Sequence, residues 1–188
     1  MVTADQLCCL DGLIWLQSGN AVGALTLQHQ TTVSRNQRKC AKTFGVDVLK
    51  CDGFWQIEGD CQLLQMERAV HQVARLKLSQ GLRLEAAFSP ETALAQDLAR
   101  VWTVGSSRRS NPYHLATLLE QRVIDAWLTS WEQVKGSNDS IVSIPLTDAP
   151  ETMHLMVHRD LHKQPAMAEL VAGLFAQHQQ QPIRLQSP

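Results

Sequence analysis

Proline divides this sequence into two parts of different character. The chain of 188 residues contains seven prolines, and all of them occur from residue 90 onward. Because proline breaks helix interiors and central strands, the part before residue 90 can form long helices, while the rest must be interrupted by turns. Hydrophobic residues make up 44% of the chain, which is enough for a buried core. We therefore expect an α+β multidomain protein, mostly helical up to residue 80.

The first 58 residues follow the order of a winged helix-turn-helix. Apolar residues at helical spacing predict a helix over 4–17 and a shorter one over 21–27. A third predicted helix covers 31–44 and is closed by Gly45. The dipeptide Asp52-Gly53 between two apolar runs is then a strong β-hairpin signal. A hairpin directly after the third helix is the position of a wing, in which Trp55 is expected to be a core anchor rather than a groove-reading tip.

The third predicted helix has the chemistry of a helix that binds in a DNA groove. Between residues 30 and 50 the chain has five cations and a single acid, Asp47. The amide of Gln30 and the hydroxyl of Thr32 suit base edges, whereas Arg35 and its neighbours suit phosphates. An exposed helix start, in which Thr31 or Thr32 merely caps the helix, is the alternative. The predicted DNA-binding residues are Gln30, Thr31, Thr32, Ser34, Arg35, Arg38, Lys39, Lys42 and Lys50.

A long helix is predicted over 60–80, where the chain has neither glycine nor proline. At 1.5 Å per residue such a helix is about 30 Å long. Its apolar residues recur at steps of three and four, which predicts a homodimer, or a higher oligomer, that pairs through this helix. Packing of the helix on its own domain is the alternative. We take residues 59–80 as the linker and dimerisation segment.

The remainder alternates between predicted strands and helices. Strands are expected near 82–88, 101–104 and 123–127, with helices between them that begin at Ser89-Pro90 and Asn111-Pro112. This order predicts parallel strands in a small α/β domain over residues 81–178. Two further strands, at 141–145 and 153–157, and a final helix from Pro165 follow. Residues 179–188 are predicted to be a tail.

The run Gln30-Thr31-Thr32-Val33-Ser34-Arg35, with Phe44-Gly45-Val46 ten residues later, resembles the DNA-binding domain of LysR-type transcriptional regulators. The helix over 60–80 is similar to the linker helix of that family. Leu82-Arg83-Leu84 and Val157-His158-Arg159-Asp160 resemble the first strand and the end of its effector domain. The resemblance implies a periplasmic-binding-protein-like effector domain, of which this chain is expected to contain only one lobe.

Two departures from the family pattern affect what the resemblance implies. The family usually has two alanines in the second helix and an aliphatic residue two places before the glutamine, where this chain has Val22-Gly23 and Gln28. We therefore expect altered packing in the turn. Since a ligand cleft needs two walls, one lobe makes a small-molecule effector doubtful. Ser89 remains the candidate ligand contact, and its alternative role is that of a plain N-cap.

The sequence lacks the signatures of several other functions. It contains no phosphate-binding glycine loop and no nucleophile elbow, so we expect no enzyme and no cofactor. The five cysteines include no Cys-x-x-Cys pair, although Cys51 and Cys61 could face each other across the hairpin. His154, His158 and His162 would suit a metal only on a helix, and a strand is predicted there. Arg108 and Arg109 are expected to be solvated loop residues.

Taken together, these patterns predict a cytoplasmic transcriptional regulator that binds double-stranded DNA as a dimer through a winged helix-turn-helix. No apolar run is long enough to cross a membrane, and no secretory signal is visible. Two alternatives stay open. One is a dimerisation partner that does not bind DNA and modulates a full-length LysR-type relative. The other is a small-molecule sensor that forms its cleft between two copies.

Overall fold

The computed structural model describes residues 2–86, 100–105, 111–130, 140–146 and 153–180. The described chain forms two compact units. The first contains the described residues up to Ala74 together with 111–124, and the second contains those from Arg75 to 105 and from Asp125 to 180. Each unit has its own core.

Three helices begin the first unit and agree with the sequence prediction to within two residues. They are α1 (Ala4–Leu16), α2 (Gly19–Thr26) and α3 (Gln30–Phe44). The N-cap residue of α1 forms a capping box with Gln6, and the hydroxyl of Ser18 accepts a hydrogen bond at the start of α2. The buried apolar residues that join the three helices are Leu7, Leu10, Leu13, Val22, Val33 and Cys40.

The predicted hairpin is present. Strands β1 (Asp47–Cys51) and β2 (Phe54–Glu58) pair antiparallel. Asp52 and Gly53 between them both have positive φ, at 52° and 86°, as a two-residue type I′ turn requires. The expectation that Cys51 and Cys61 face each other is wrong, because Cys51 lies opposite Phe54 and Cys61 follows the end of β2.

Helix α4 (Gln62–Leu78) has two faces of opposite character. Its buried residues are Leu64, Arg68 and Gln72. The Arg68 guanidinium donates to the Asp11 carboxylate on α1 at 2.8 Å, and both side chains are only 1% exposed. Its other face exposes large apolar residues, namely Leu63, Met66, Val70 and Val73.

One further helix belongs to the first unit although it lies far along the chain. Helix α5 (Pro112–Glu120) begins at Asn111, whose side chain caps it. In the sequence it falls between two strands of the second unit. Residues 111–124 nevertheless group with the three-helix unit.

The second unit is built on a sheet of five strands. They are β3 (Leu82–Ala86), β4 (Trp102–Gly105), β5 (Ala126–Thr129), β6 (Ile141–Pro145) and β7 (His154–His158). Their order in the sheet is β4-β3-β5-β7-β6. As predicted, β4 and β5 both pair parallel to β3, whereas β7 is antiparallel to its two neighbours.

Two predicted boundaries in this half of the chain shift. Strand β5 was expected from residue 123 but begins at Ala126, because Val123 and Ile124 follow α5 in the first unit. The last helix, α6 (Pro165–Gln180), extends two residues into the predicted tail. The helix predicted to begin at Ser89-Pro90 falls on residues 89–99, which lie outside the described residues.

One face of the sheet forms an apolar core with α6. Leu84, Leu128 and Leu155 on the strands join Met167 and Leu170 of this helix in one cluster of buried side chains. Apolar burial of this extent is the main source of stability for a small α/β unit.

Asp125, the residue directly before β5, is held by hydrogen bonds to its carboxylate. The fully buried carboxylate of Asp125 accepts two hydrogen bonds from the Arg75 guanidinium, at 3.1 and 2.9 Å. It also accepts one from the backbone N–H of Arg83 on β3. These bonds join the end of α4 to two neighbouring strands of the second unit.

Within the described part of the chain, no helix is both long and apolar enough to span a bilayer.

Replacing Arg68 with methionine should destabilise the protein strongly, because the Asp11 carboxylate then stays buried without this partner. Removing one member of such a pair costs about 3–5 kcal/mol. Urea unfolding followed by circular dichroism measures the change in the free energy of unfolding. The double variant Asp11→Leu/Arg68→Met should recover most of the stability. Equal destabilisation in the single and double variants would show that the pair is not the cause.

Candidate nucleic-acid interface

Helix α3 presents its cations on a single exposed face. The opposite face is buried through Val33, Gln37, Cys40 and Ala41. On the solvent side, six side chains at three- and four-residue steps share one face of the helix and line an open depression of about 490 Å³. The lining has four cations and no carboxylate. Its residues are Thr31, Ser34, Arg35, Arg38, Lys39 and Lys42.

These four cations are not neutralised by the described part of the protein. The ion pairs found there involve Arg68, His71, Arg75 and His158, and none involves a cation of α3. The cations of the depression are thus available to phosphates. An open, positively charged depression of this kind suits a nucleic-acid backbone.

The start of α3 is held by His29. The imidazole Nδ1 of His29 accepts a hydrogen bond from the backbone N–H of Thr31 at 3.4 Å and lies 3.0 Å from the Thr31 hydroxyl. The cap is therefore His29 and not Thr31 or Thr32. Gln30 is exposed, and its side chain lies beside Gly19 at the start of α2. Gln30 and the half-buried Thr32 are outside the lining of the depression.

Lys50 lies on the hairpin and not in the depression. Its Nζ is 5.8 Å from the centroid of the Trp55 ring, a cation–π distance. Trp55 itself is half-buried and packs against a cluster that contains Leu13 and Val33. The backbone of Trp55 is fixed by Gln17, whose side chain bonds its N–H at 2.6 Å and its carbonyl at 3.1 Å. Trp55 is thus an anchor of the hairpin, as expected from the sequence.

The turn between α2 and α3 is closed by polar contacts. Gln28 stands where the resemblance leads one to expect an aliphatic residue. Its side-chain oxygen accepts from the Asn36 amide at 3.1 Å and lies 3.6 Å from the Cys9 thiol. Its backbone N–H bonds to the Gly23 carbonyl at 2.9 Å. The two amides, eight residues apart, were visible in the sequence, but their pairing was not predicted.

The close approach at this turn explains Gly23. A Cβ on Gly23 would lie 2.7 Å from the backbone oxygen of Gln28, nearer than real contacts allow. The alanine typical of the LysR family therefore does not fit here without moving the turn. On the inner face of α3, the side-chain oxygen of Gln37 is buried with no hydrogen-bond partner among the described residues.

The other candidate residues add no second site. Ser89, Arg108 and Arg109 lie outside the described residues. His154 is on strand β7, where its Nδ1 lies 2.9 Å from the Ser143 hydroxyl. The described residues contain no cluster of three or more His, Cys, Asp or Glu side chains that could hold a metal ion. His158 ends the same strand and His162 follows it, so the three histidines do not lie together on a helix.

Comparison with known proteins gives similarity only at the level of solved structures. No family model and no curated protein matches the chain. Full-length OxyR C199D from Pseudomonas aeruginosa is similar at 14% identity and a TM-score of 0.43, over 78% of this chain and 55% of that one. CrgA, a LysR-type transcriptional regulator from Neisseria meningitidis, is similar at 14% identity and a TM-score of 0.30, over 78% and 54%.

A third similar structure is Vibrio fischeri DarR in complex with DNA, at 17% identity and a TM-score of 0.29, over 78% of this chain and 56% of that one. The chain spans about half the length of these solved structures. Such low TM-scores do not establish a shared overall fold. A function for this chain must therefore be inferred from its own residues.

Replacing Gly23 with alanine should destabilise the protein by about 1–3 kcal/mol, because the new methyl group overlaps the Gln28 carbonyl. Gly19→Ala is the matched control, since there the nearest atoms are in the flexible Gln30 side chain at 3.5 Å. Thermal unfolding of both variants measures the difference. A Gly23→Ala variant as stable as the Gly19→Ala variant would mean that the turn is not tightly closed.

Proposed function

We propose that this protein is a sequence-specific DNA-binding transcriptional regulator of the LysR type. It acts in the cytoplasm as a dimer, and it has no catalytic activity. The observation that carries the proposal is the exposed face of α3, where four cations and two hydroxyls surround an open depression without any acid. Hydroxyls and an amide can contact base edges, while arginine and lysine hold the phosphates on either side.

In this proposal α3 lies in the major groove, and its residues divide by chemistry. The polar residues at the helix start face the bases: Gln30, Thr31, Thr32 and Ser34. The cations along the helix hold phosphates: Arg35, Arg38, Lys39 and Lys42. The hairpin β1–β2 is the wing, and Lys50 approaches the backbone from it. The cation–π contact with Trp55 keeps the Lys50 side chain near the hairpin.

The proposed dimer forms through α4. Leu63, Met66, Val70 and Val73 are 64%, 60%, 66% and 50% exposed, and we name these four residues the apolar stripe. Their spacing of three, four and three residues is the a/d pattern of a coiled coil. The opposite face of the same helix is already buried within the chain, through Leu64, Arg68 and Gln72. An apolar stripe left in solvent by its own chain is typical of a surface that a second copy covers.

We propose functional boundaries of 1–58 for the winged helix-turn-helix, 59–80 for the linker helix, 81–178 for a one-lobe effector-like domain and 179–188 for a tail. Two copies related by a two-fold axis would place two α3 helices in successive major grooves, about one or more helical turns apart. Regulation then follows from occupancy of the DNA site and not from turnover.

A second candidate function is favoured by the apolar stripe, which does not depend on DNA. The protein would be a dimerisation partner that modulates a full-length LysR-type relative and binds no DNA itself. A purified protein that binds no duplex but forms heterodimers would support this function and contradict the first.

Removing two cations from the depression should weaken DNA binding and its dependence on salt. For Arg35→Ala/Arg38→Ala, the slope of log K against log salt concentration should fall by about two, because each missing cation leaves one phosphate without its partner. Fluorescence anisotropy with a labelled duplex at several salt concentrations measures this. Arg159→Ala/Lys163→Ala is the charge-matched control, because both residues are exposed outside α3. An unchanged slope in the α3 variant contradicts the assignment.

A charge placed on the apolar stripe should dissociate the dimer. Val70→Glu is expected to convert the protein to a monomer, because two carboxylates would face each other in an apolar interface. Sedimentation velocity measures the change. Gln65→Glu adds the same charge at an exposed position outside the stripe and should leave the dimer intact. A dimer that persists with Val70→Glu would place the interface elsewhere.

A further inference from the structure

Residues 111–124, which we name the strap, lie between β4 and β5 in the sequence but belong to the first unit. A helix between two parallel strands ordinarily serves to return the chain along the sheet. Here the strap makes specific side-chain contacts with three elements of the first unit, namely α1, the hairpin and α4. The contacts lie at its two ends.

The first end of the strap contacts the hairpin and the end of α1 through His114. The rings of His114 and Phe54 have centroids 6.3 Å apart and are inclined by 49°. His114 also forms a hydrogen bond with the backbone of Ile14 on α1, while its Nε2 is buried without a partner among the described residues. Burial lowers the pKa of His114, and the hydrogen bond opposes this effect only in part. The imidazole is thus a half-buried group that contacts both α1 and β2.

The second end of the strap contacts α4. The Arg122 guanidinium donates to the side-chain oxygen of buried Gln72 at 2.6 Å, and Arg68 reaches the Gln121 side chain at 3.5 Å. Arg122 has a positive φ of 59°, which is uncommon for a residue with a side chain. This left-handed backbone turns the chain at the end of α5, and the hydrogen bond to Gln72 fixes it there.

The hairpin has little support of its own. A lone two-stranded hairpin is marginally stable in water. Its stability therefore depends on contacts with the rest of the first unit. One is the pair of hydrogen bonds between Gln17 and Trp55, and another is the ring contact between His114 and Phe54. Six of the ten residues in β1 and β2 are exposed, namely Asp47, Leu49, Lys50, Cys51, Gln56 and Glu58.

We infer that the strap is a second anchor of the hairpin, so that loss of the contacts at either end of the strap frees the hairpin. The strap leads directly into β5 at Ala126, and β4 precedes it in the chain. The inference rests on the proposed function in one respect, because it treats the hairpin as a wing that contacts DNA.

Hydrogen–deuterium exchange of the full chain tests the anchor without any DNA. In His114→Ala, the amides of residues 47–58 should exchange roughly five- to tenfold faster than in the unchanged protein, the size expected when one aromatic contact is removed. The amides inside α3 should keep their rates. Tyr113→Ala is the matched control, because the neighbouring Tyr113 is 77% exposed on the same helix. It should leave the hairpin rates unchanged.

A second variant covers the case in which His114→Ala fails to fold. Arg122→Met removes the hydrogen bond to Gln72 at the other end of the strap and should also speed exchange in 47–58. Unchanged hairpin rates in a folded variant would overturn the inference, as would an equal increase throughout the first unit. Failure of the unchanged protein to bind DNA would overturn the proposed function alone, because the exchange result does not depend on DNA.

Discussion

The buried ion pair between Asp11 and Arg68 is the interaction on which the arrangement of the first unit depends. Both side chains are removed from water, so each charge needs the other in place. This requirement fixes α4 against α1 in one register, because a helix shifted by one residue would separate two buried charges. A purely apolar contact would tolerate such a shift far better.

The same pair lies on the one face of α4 that the chain buries. That face carries Leu64, which packs with Leu7 and Leu10, together with Arg68 and Gln72, which bond to Asp11 and Arg122. The residues of the apolar stripe are consequently left in solvent. One face of the helix is thus used within the chain, and the other is the face through which we propose that a second copy binds. Stability and the proposed assembly are linked through one helix.

Much of the fold could be predicted because its signals are local. Asp52-Gly53 specifies a tight hairpin, Gly45 ends α3, and the cations of α3 share a face through helical spacing alone. The contacts that position these elements are different, since Asp11 and Arg68 are 57 residues apart and nothing in the local pattern pairs them. The strap was not predicted for the same reason. Its place between two strands indicates a crossover, and only the tertiary structure shows its contact with the hairpin.

The central proposal is that α3 reads DNA as one half of a dimer. The most direct test is to let the purified full chain select binding sites from a pool of random duplexes. We expect enrichment of a two-fold symmetric sequence whose half-sites are about one or more helical turns apart. A pool in which no sequence is enriched would contradict DNA reading by α3, and an enriched single half-site would contradict the dimer.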